Sequence, residues 1–415
     1  MTTDKSFWKA GHVPTLLSSF LYFDMSFMIW VLLGALGNYI AGDLGLSPTQ
    51  KGLMTALPLL GGAALRLVLG ALTDTIGGRK TGLIGMGLTV IPLFLGWLWA
   101  EWLSQIYLIG LLLGVAGASF AVALPLASRW YPAEHKGLAM GIAGAGNSGT
   151  VLATLFAPRL AEAFGWHAVF GLAIIPLLVA IVVFALFAKD APNSLKKNEM
   201  AEYTAVLKVG DMYTFCFLYA VTFGGFVGLA SFLSIFLRDE YGISKVAAGD
   251  LTTLCVVAGS FLRPLGGWLS DKIGGLRMLM IMYGAVTIVF LCVAQLPTLG
   301  IAVALFFVAM GCLGMGNGAV FQLVPQRFTG HVGVATGIIG AAGGVGGFFL
   351  PTLLGWFKQT SGTYATGLLA FAVVTGAALI ALLLAQRQWV GNWIAKGGRA
   401  MQPASVSVGT ESKAS

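Results

Sequence analysis

Charge is scarce in this chain. Asp, Glu, Lys and Arg make up 10% of its 415 residues, against roughly 25% in soluble domains. With 57% hydrophobic residues and a mean hydropathy of +0.87, the composition is that of a polytopic membrane protein. Cysteine and histidine are nearly absent, with four of each. Cys216, Cys255, Cys292 and Cys312 fall in apolar segments at spacings that match neither a metal site nor a disulfide framework, so they read as small core residues. His12, His135, His167 and His331 sit in or beside predicted loops, which argues against a histidine-based metal centre or an intramembrane enzyme built on one. No metal and no cofactor is expected. The net charge of +8 comes without a basic cluster interleaved with aromatics, so nucleic acid is not an expected partner. No soluble output domain is expected, since the polar tail Arg387–Ser415 is too short for one.

The chain does hold twelve apolar runs of membrane-spanning length. They lie near 14–38, 50–72, 81–99, 106–128, 137–160 and 167–188, then near 212–237, 246–268, 277–295, 300–323, 332–356 and 363–386. Lys5, Lys9 and His12 lead into a full-length span rather than a short signal segment. The expectation is an all-α integral membrane protein with twelve transmembrane helices in two six-helix bundles. The bundles are 1–188 and 212–386, joined by a cytoplasmic loop 189–211 that carries Lys196 and Lys197, and followed by a cytoplasmic tail 387–415. With both termini inside, 17 basic residues face the cytoplasm and five face outward: Lys51, Arg159, Arg238, Lys245 and Lys358. That asymmetry satisfies the positive-inside rule and predicts a multi-pass protein of the cell inner membrane; a monomer in the lipid bilayer is expected.

The halves repeat each other. Leu65-Arg66-Leu67-Val68-Leu69-Gly70-Ala71-Leu72-Thr73-Asp74-Thr75-Ile76-Gly77-Gly78-Arg79 matches Leu262-Arg263-Pro264-Leu265-Gly266-Gly267-Trp268-Leu269-Ser270-Asp271-Lys272-Ile273-Gly274-Gly275 at a shift of 197. A shift of 196 aligns Gly137, Gly141 and Gly144 at the start of span 5 with Gly333, Gly337 and Gly340 at the start of span 11. These glycines predict close packing of spans 5 and 11 on spans 2 and 8, and bare backbone can also approach a ligand. Six spans return the second half to the orientation of the first, so the repeat is parallel. Gly70, Asp74, Arg79 and Lys80 resemble the loop signature between spans 2 and 3 of the major facilitator superfamily, and Asp271 marks its weaker copy.

Two basic residues of the 24 remain in the membrane, Arg66 and Arg263, at equivalent points of the halves. Eight helical residues separate each from its aspartate, a rise of about 12 Å, which places both guanidinium groups near mid-membrane and out of reach of Asp74 and Asp271. A cation there costs at least roughly 2.5–3.5 kcal/mol on insertion scales, so its default reading is functional. Two planar forks facing across a cleft suit one small flat oxyanion. The bland alternative pairs each arginine with a buried acid or backbone carbonyls, and Asp24 is the only acid inside a span. Asp24 itself reads three ways: a proton site, a partner of an arginine, or a polar residue near the inner mouth. Asn147 either bonds a neighbouring helix or donates to substrate. Phe27, Phe120, Tyr219 and Phe223 are either ordinary core or flat walls that orient the guanidinium groups.

Paired Arg66 and Arg263, the run Gly144-Ala145-Gly146-Asn147-Ser148-Gly149 and the run Gly340-Ala341-Ala342-Gly343-Gly344-Val345-Gly346-Gly347 together resemble the nitrate/nitrite porter family. Phe27-Met28-Ile29-Trp30 and Tyr219-Ala220-Val221-Thr222-Phe223-Gly224 are similar to it as well. The resemblance implies that Arg66 and Arg263 clamp the anion, that Asn147 bonds it, that Phe27, Phe120, Tyr219 and Phe223 shape the pocket, and that Gly144 and Gly343 lie in the signature segments. It implies uptake of nitrate or nitrite by alternating access. The short central loop and the lone Asp24 favour proton symport over nitrate/nitrite exchange. An organophosphate or organic-anion exchanger is the rival transporter, although no further membrane cation is present to meet a second substrate charge. A non-transporting anion sensor is the reading from another class.

Overall fold

A computed structural model describes residues 6–192, 200–329 and 331–394. Lys196, Lys197 and most of the tail lie outside them. Among the described residues twelve helices are long and apolar enough to cross a membrane, and the regular structure is helical. Span 1 is Val13–Trp30, Leu32–Ala35 and Gly37–Leu44 in sequence, with small breaks at Val31 and Leu36. Spans 2 and 3 are Pro48–Ile76 and Gly78–Leu98. Span 4 is Leu103–Gly117 followed by Phe120–Ser128. Span 5 runs through Ala133–Gly144, a 3-10 turn at Ala145–Ser148 and Gly149–Phe164. Span 6 is Trp166–Phe187. The second half holds span 7 at Gly210–Tyr241, span 8 at Lys245–Phe261 and Arg263–Ile273, span 9 at Gly275–Val293, span 10 at Leu299–Arg327, span 11 at Val332–Ser361 and span 12 at Ala365–Trp389.

The observed helices overrun the apolar runs by up to six residues at several ends, because polar residues such as Asp239 and Lys358 continue the helix beyond the hydrocarbon. The linker between the halves contains its own short helix, Met200–Leu207, where the sequence predicts only loop.

Each break has a local cause. Pro264 has no N–H to give the Ser260 carbonyl, and span 8 restarts at Arg263 with Pro264 in its first turn. The 3-10 turn of span 5 falls on three glycines in six residues, where helix propensity is lowest. The reversals after spans 2 and 8 need left-handed backbone, with Gly77 at φ +94° and Gly274 at φ +93°. The 197-residue repeat therefore extends to the backbone of both turns.

Packing across the two halves is crosswise. Span 11 lies on span 2, where a side chain at Gly52 would strike the Pro351 carbonyl and one at Gly344 would sit 2.9 Å from Ala63. Span 8 lies on span 5, where Gly249 meets Pro158 and Thr154, and Thr253 Oγ1 donates to Thr154 Oγ1 at 2.8 Å. The expected contact of spans 5 and 11 with spans 8 and 2 is present; Gly344 of the span 11 run makes it on one side, and Gly249 of span 8 on the other. Gly146 and Gly149 instead seat span 5 on span 1, and Gly346 seats span 11 on span 7. A side chain at Gly141, Gly333 or Gly337 would meet open space.

The hydrogen bonds and ion pairs joining the halves cluster toward the face opposite the termini. There Asn38 Nδ2 donates to the Ser234 carbonyl at 3.0 Å, Lys51 pairs with Asp239 at 2.8 Å and Arg159 with Asp250 at 2.5 Å. On the face carrying the termini, several polar ties among the described residues lie within one half. Asp74 pairs with Arg129, Asp211 pairs with Arg327, Asp271 accepts from Gln322, and Arg79 donates to the Ala185 carbonyl. Arg79 thus secures the end of span 6.

Gly346→Val tests the span 7 contact. Its side chain would collide with the Ala220 backbone, which cannot move aside as a side chain does. The expected outcome is destabilisation by roughly 1–3 kcal/mol, read as a lower unfolding temperature of purified protein in detergent.

Candidate anion site

Arg66 projects from the middle of span 2 and is 1% exposed. The break in span 4 supplies its first ligand. Ala121 N–H bonds Ala118 instead of Gly117, which frees the Gly117 carbonyl to accept from Arg66 Nε at 3.0 Å. Arg66 Nη1 crosses to the other half and donates to the Gly340 carbonyl of span 11 at 2.5 Å. Three rings enclose the guanidinium, with Trp30, Phe120 and Phe223 centred 5.2, 5.3 and 5.0 Å from its central carbon. Each ring face offers negative quadrupole to the cation. Nη2 has no protein partner.

Trp30 is fixed in turn. Its Nε1 donates to the Pro58 carbonyl at 2.7 Å, and Gly62 and Gly117 leave space for its indole. Phe27 stands against Trp30 at 4.9 Å and Phe223 at 6.4 Å, so it supports the ring cage from behind rather than touching Arg66. On span 7, Tyr219 and Phe223 stack at 5.1 Å with planes 10° apart. Gly343 makes this possible, since a side chain there would come within 2.6 Å of Tyr219 and 2.9 Å of Phe223. Gly144 has no comparable constraint, its nearest neighbour being Leu124 at 4.0 Å.

Arg263 is partly buried at the Pro264 break, and the Tyr219 hydroxyl lies within electrostatic reach of both arginines. Arg263 Nη1 and the Tyr219 hydroxyl are buried without hydrogen bonds of good geometry. Among the described residues neither arginine forms a salt bridge. Asp24 is occupied elsewhere. Its Oδ1 accepts from Ser148 Oγ at 2.6 Å, and it also takes the Gly149 N–H. Asp24 as the partner of an arginine is therefore overturned, and the carbonyl partners considered for Arg66 are present alongside its free donor. Asn147, fully buried on the 3-10 turn beside Ser148, has neither amide atom partnered. Its reading as a bond to a neighbouring helix has no support.

Phe321 on span 10 is a site residue that sequence reasoning misses. It stands 5.9 Å from Phe120 and 4.8 Å from Tyr219, closing the site toward the termini with one ring from each half. Trp30, whose ring lies over the Arg66 guanidinium, is missed likewise. Gly70, Asp74, Arg79 and Asp271 lie away from the site, at or near the turns after spans 2 and 8.

Two six-helix halves that meet around a central cationic site, each half supplying one arginine, define a membrane transporter that exposes one site to either side in turn. The description Major Facilitator Superfamily matches residues 18–351 and again 215–397. "Nitrite extrusion protein" of Bacillus subtilis (strain 168) is 34% identical over 373 residues, covering 90% of this chain and 94% of that protein. "Probable nitrate/nitrite transporter NarK2" of Mycobacterium tuberculosis (strain ATCC 25618 / H37Rv) is 34% identical over 352 residues, or 83% and 89% of the two chains. The chain belongs to the nitrate/nitrite porter family of the Major Facilitator Superfamily. In fold it is similar to a bacterial homolog of the human lysosomal transporter Spinster in an inward-facing and occupied conformation, with TM-score 0.73 and 18% identity over 95% of this chain and 100% of that one.

Gly343→Ala probes the stacked wall. The added methyl should push Tyr219 and Phe223 into the site and lower anion affinity about tenfold, an overpacking effect of ordinary size. Titration calorimetry on detergent-purified protein measures it.

Proposed function

We propose that this protein takes up nitrate, with nitrite as a second substrate, by alternating access across a cell inner membrane, with both termini in the cytoplasm. The observation that carries the reading is a set of buried donors around two arginines that no carboxylate neutralises among the described residues: Arg66 Nη2, Arg263 Nη1 and the Tyr219 hydroxyl, the last two within reach of each other. Such groups cost free energy unless a ligand satisfies them, and this set calls for an oxyanion. Flat aromatic walls favour a planar ion over a tetrahedral one. The names of the relatives, a nitrite extrusion protein and nitrate/nitrite transporters, support this substrate class.

The excess of basic residues on the terminal face supports its assignment to the cytoplasm. The face tied across the halves is then the outer one, while Phe120 and Phe321 cover the site on the inner side. Lys51–Asp239 and Arg159–Asp250 must separate when it opens outward.

Arg66→Lys and Arg263→Lys decide the clamp. Lysine keeps the charge but loses the two-pronged donor. Each variant should lose nitrate uptake in proteoliposomes by roughly a hundredfold or more, the scale of a lost charge-assisted hydrogen bond at a buried site, with membrane expression retained. Near-normal uptake by either variant removes that arginine from the clamp.

Coupling follows from charge. A potential negative inside opposes a lone anion by about 2.3 kcal/mol per charge for each 100 mV, so accumulation needs protons entering alongside or an anion leaving. We assign proton symport, with Asp24 as the site. Its carboxylate is the one acid deep in a span, and it holds the Ser148 end of the turn that carries Asn147. An inward proton gradient should stimulate uptake into nitrite-free vesicles, and Asp24→Asn should weaken that stimulation more than it weakens nitrate binding. Nitrate/nitrite exchange is the second reading, favoured by the name of the Bacillus subtilis relative. Uptake that ignores protons and starts only with internal nitrite would establish it.

A further inference from the structure

Asn317 lies on span 10 in the run Gly314-Met315-Gly316-Asn317-Gly318. It is 1% exposed, and neither its amide nitrogen nor its amide oxygen has a partner. A buried amide normally finds hydrogen bonds, because leaving it without them is costly.

Its direction follows from its neighbours. Span 10 turns Gly314 and Gly318 toward span 8, where side chains would strike the backbone at Gly259 and Arg263. It turns Leu313 and Gly316 toward span 7, against Gly225 and Thr222. Asn317 lies between those two faces, one turn from Phe321, which touches Tyr219. The wedge it enters is the one between Tyr219 and Arg263.

The internal repeat points to the same place. A shift of 197 carries Phe120 onto Asn317, as it carries Arg66 onto Arg263. Phe120 lies over the Arg66 guanidinium, so Asn317 occupies the equivalent place beside Arg263. The two halves thus differ in chemistry at one position. Arg66 is enclosed by three rings, while Arg263 has a tyrosine hydroxyl and an amide for company.

We propose that Asn317 is a direct ligand of the transported oxyanion, donating from Nδ2 to an anion oxygen on the Arg263 side, as a counterpart of Asn147 from the first half. This rests on the anion-transport reading above. It also gives a physical reason for a polar residue inside span 10, since the bound anion supplies the partner that the protein lacks.

The test uses full-length protein in detergent, titrated with sodium nitrate by calorimetry and by the nitrate-induced rise in unfolding temperature. Asn317→Leu removes both amide atoms at nearly constant volume. It should leave the unfolding temperature of the ligand-free protein unchanged or raised, because no internal hydrogen bond is lost. Nitrate affinity should fall roughly tenfold or more, the loss expected for one hydrogen bond to a charged ligand. Asn317→Ala, which is smaller and cannot clash, should show the same affinity loss. Wild-type nitrate affinity in either folded variant overturns the assignment. So does a drop in ligand-free unfolding temperature without change in affinity, which is the signature of a structural amide. If the unsubstituted protein itself gives no nitrate response, the substrate reading fails first, a result distinct from failure of Asn317 alone.

Discussion

A guanidinium in hydrocarbon has to be solvated by something, and much of the centre of this protein is arranged around that need. Arg66 cannot shed its proton in practice, so the surroundings must supply acceptors and electron-rich faces. The break in span 4 releases the Gly117 carbonyl, span 11 brings the Gly340 carbonyl, and Trp30, Phe120 and Phe223 close three sides. Glycines at 62 and 117 exist where the Trp30 indole must fit, and glycine at 343 where Tyr219 and Phe223 must stack. The small residues of the core thus serve the large ones, and the large ones serve the charge.

The two arginines meet different solutions to the same difficulty. Arg66 sits within an uninterrupted helix and is almost wholly buried, held by carbonyls and rings. Arg263 sits at a proline break, less enclosed, with the Tyr219 hydroxyl within electrostatic reach. Sequence symmetry between the halves therefore does not carry through to chemical symmetry around the two arginines.

Much of this was legible in the sequence, for physical reasons that also mark where legibility stops. Hydropathy reveals spans because hydrocarbon penalises polar groups over a fixed thickness, and the twelve spans and the parallel repeat follow from that. Arg66 and Arg263 stand out because charge within an apolar run is rare. Helix breaks at Ala118 and at Ala145–Ser148 leave no mark in hydropathy, so the freed Gly117 carbonyl was not foreseeable. Asn317 hides among glycines without a charge and with a phenylalanine as its repeat mate. Phe321 and Trp30 look like any aromatic in a membrane helix until their ring contacts are known. Asp24 was visible as a lone acid, but its partner Ser148, being a small hydroxyl, was not.

The bond from Arg66 to the Gly340 carbonyl joins a side chain of one half to the backbone of the other. The remaining Nη2 of the same guanidinium is the donor we propose for the anion. Ligand and inter-bundle bond would then share one planar group, so occupancy at the midline and the hold between the bundles would act through a single side chain.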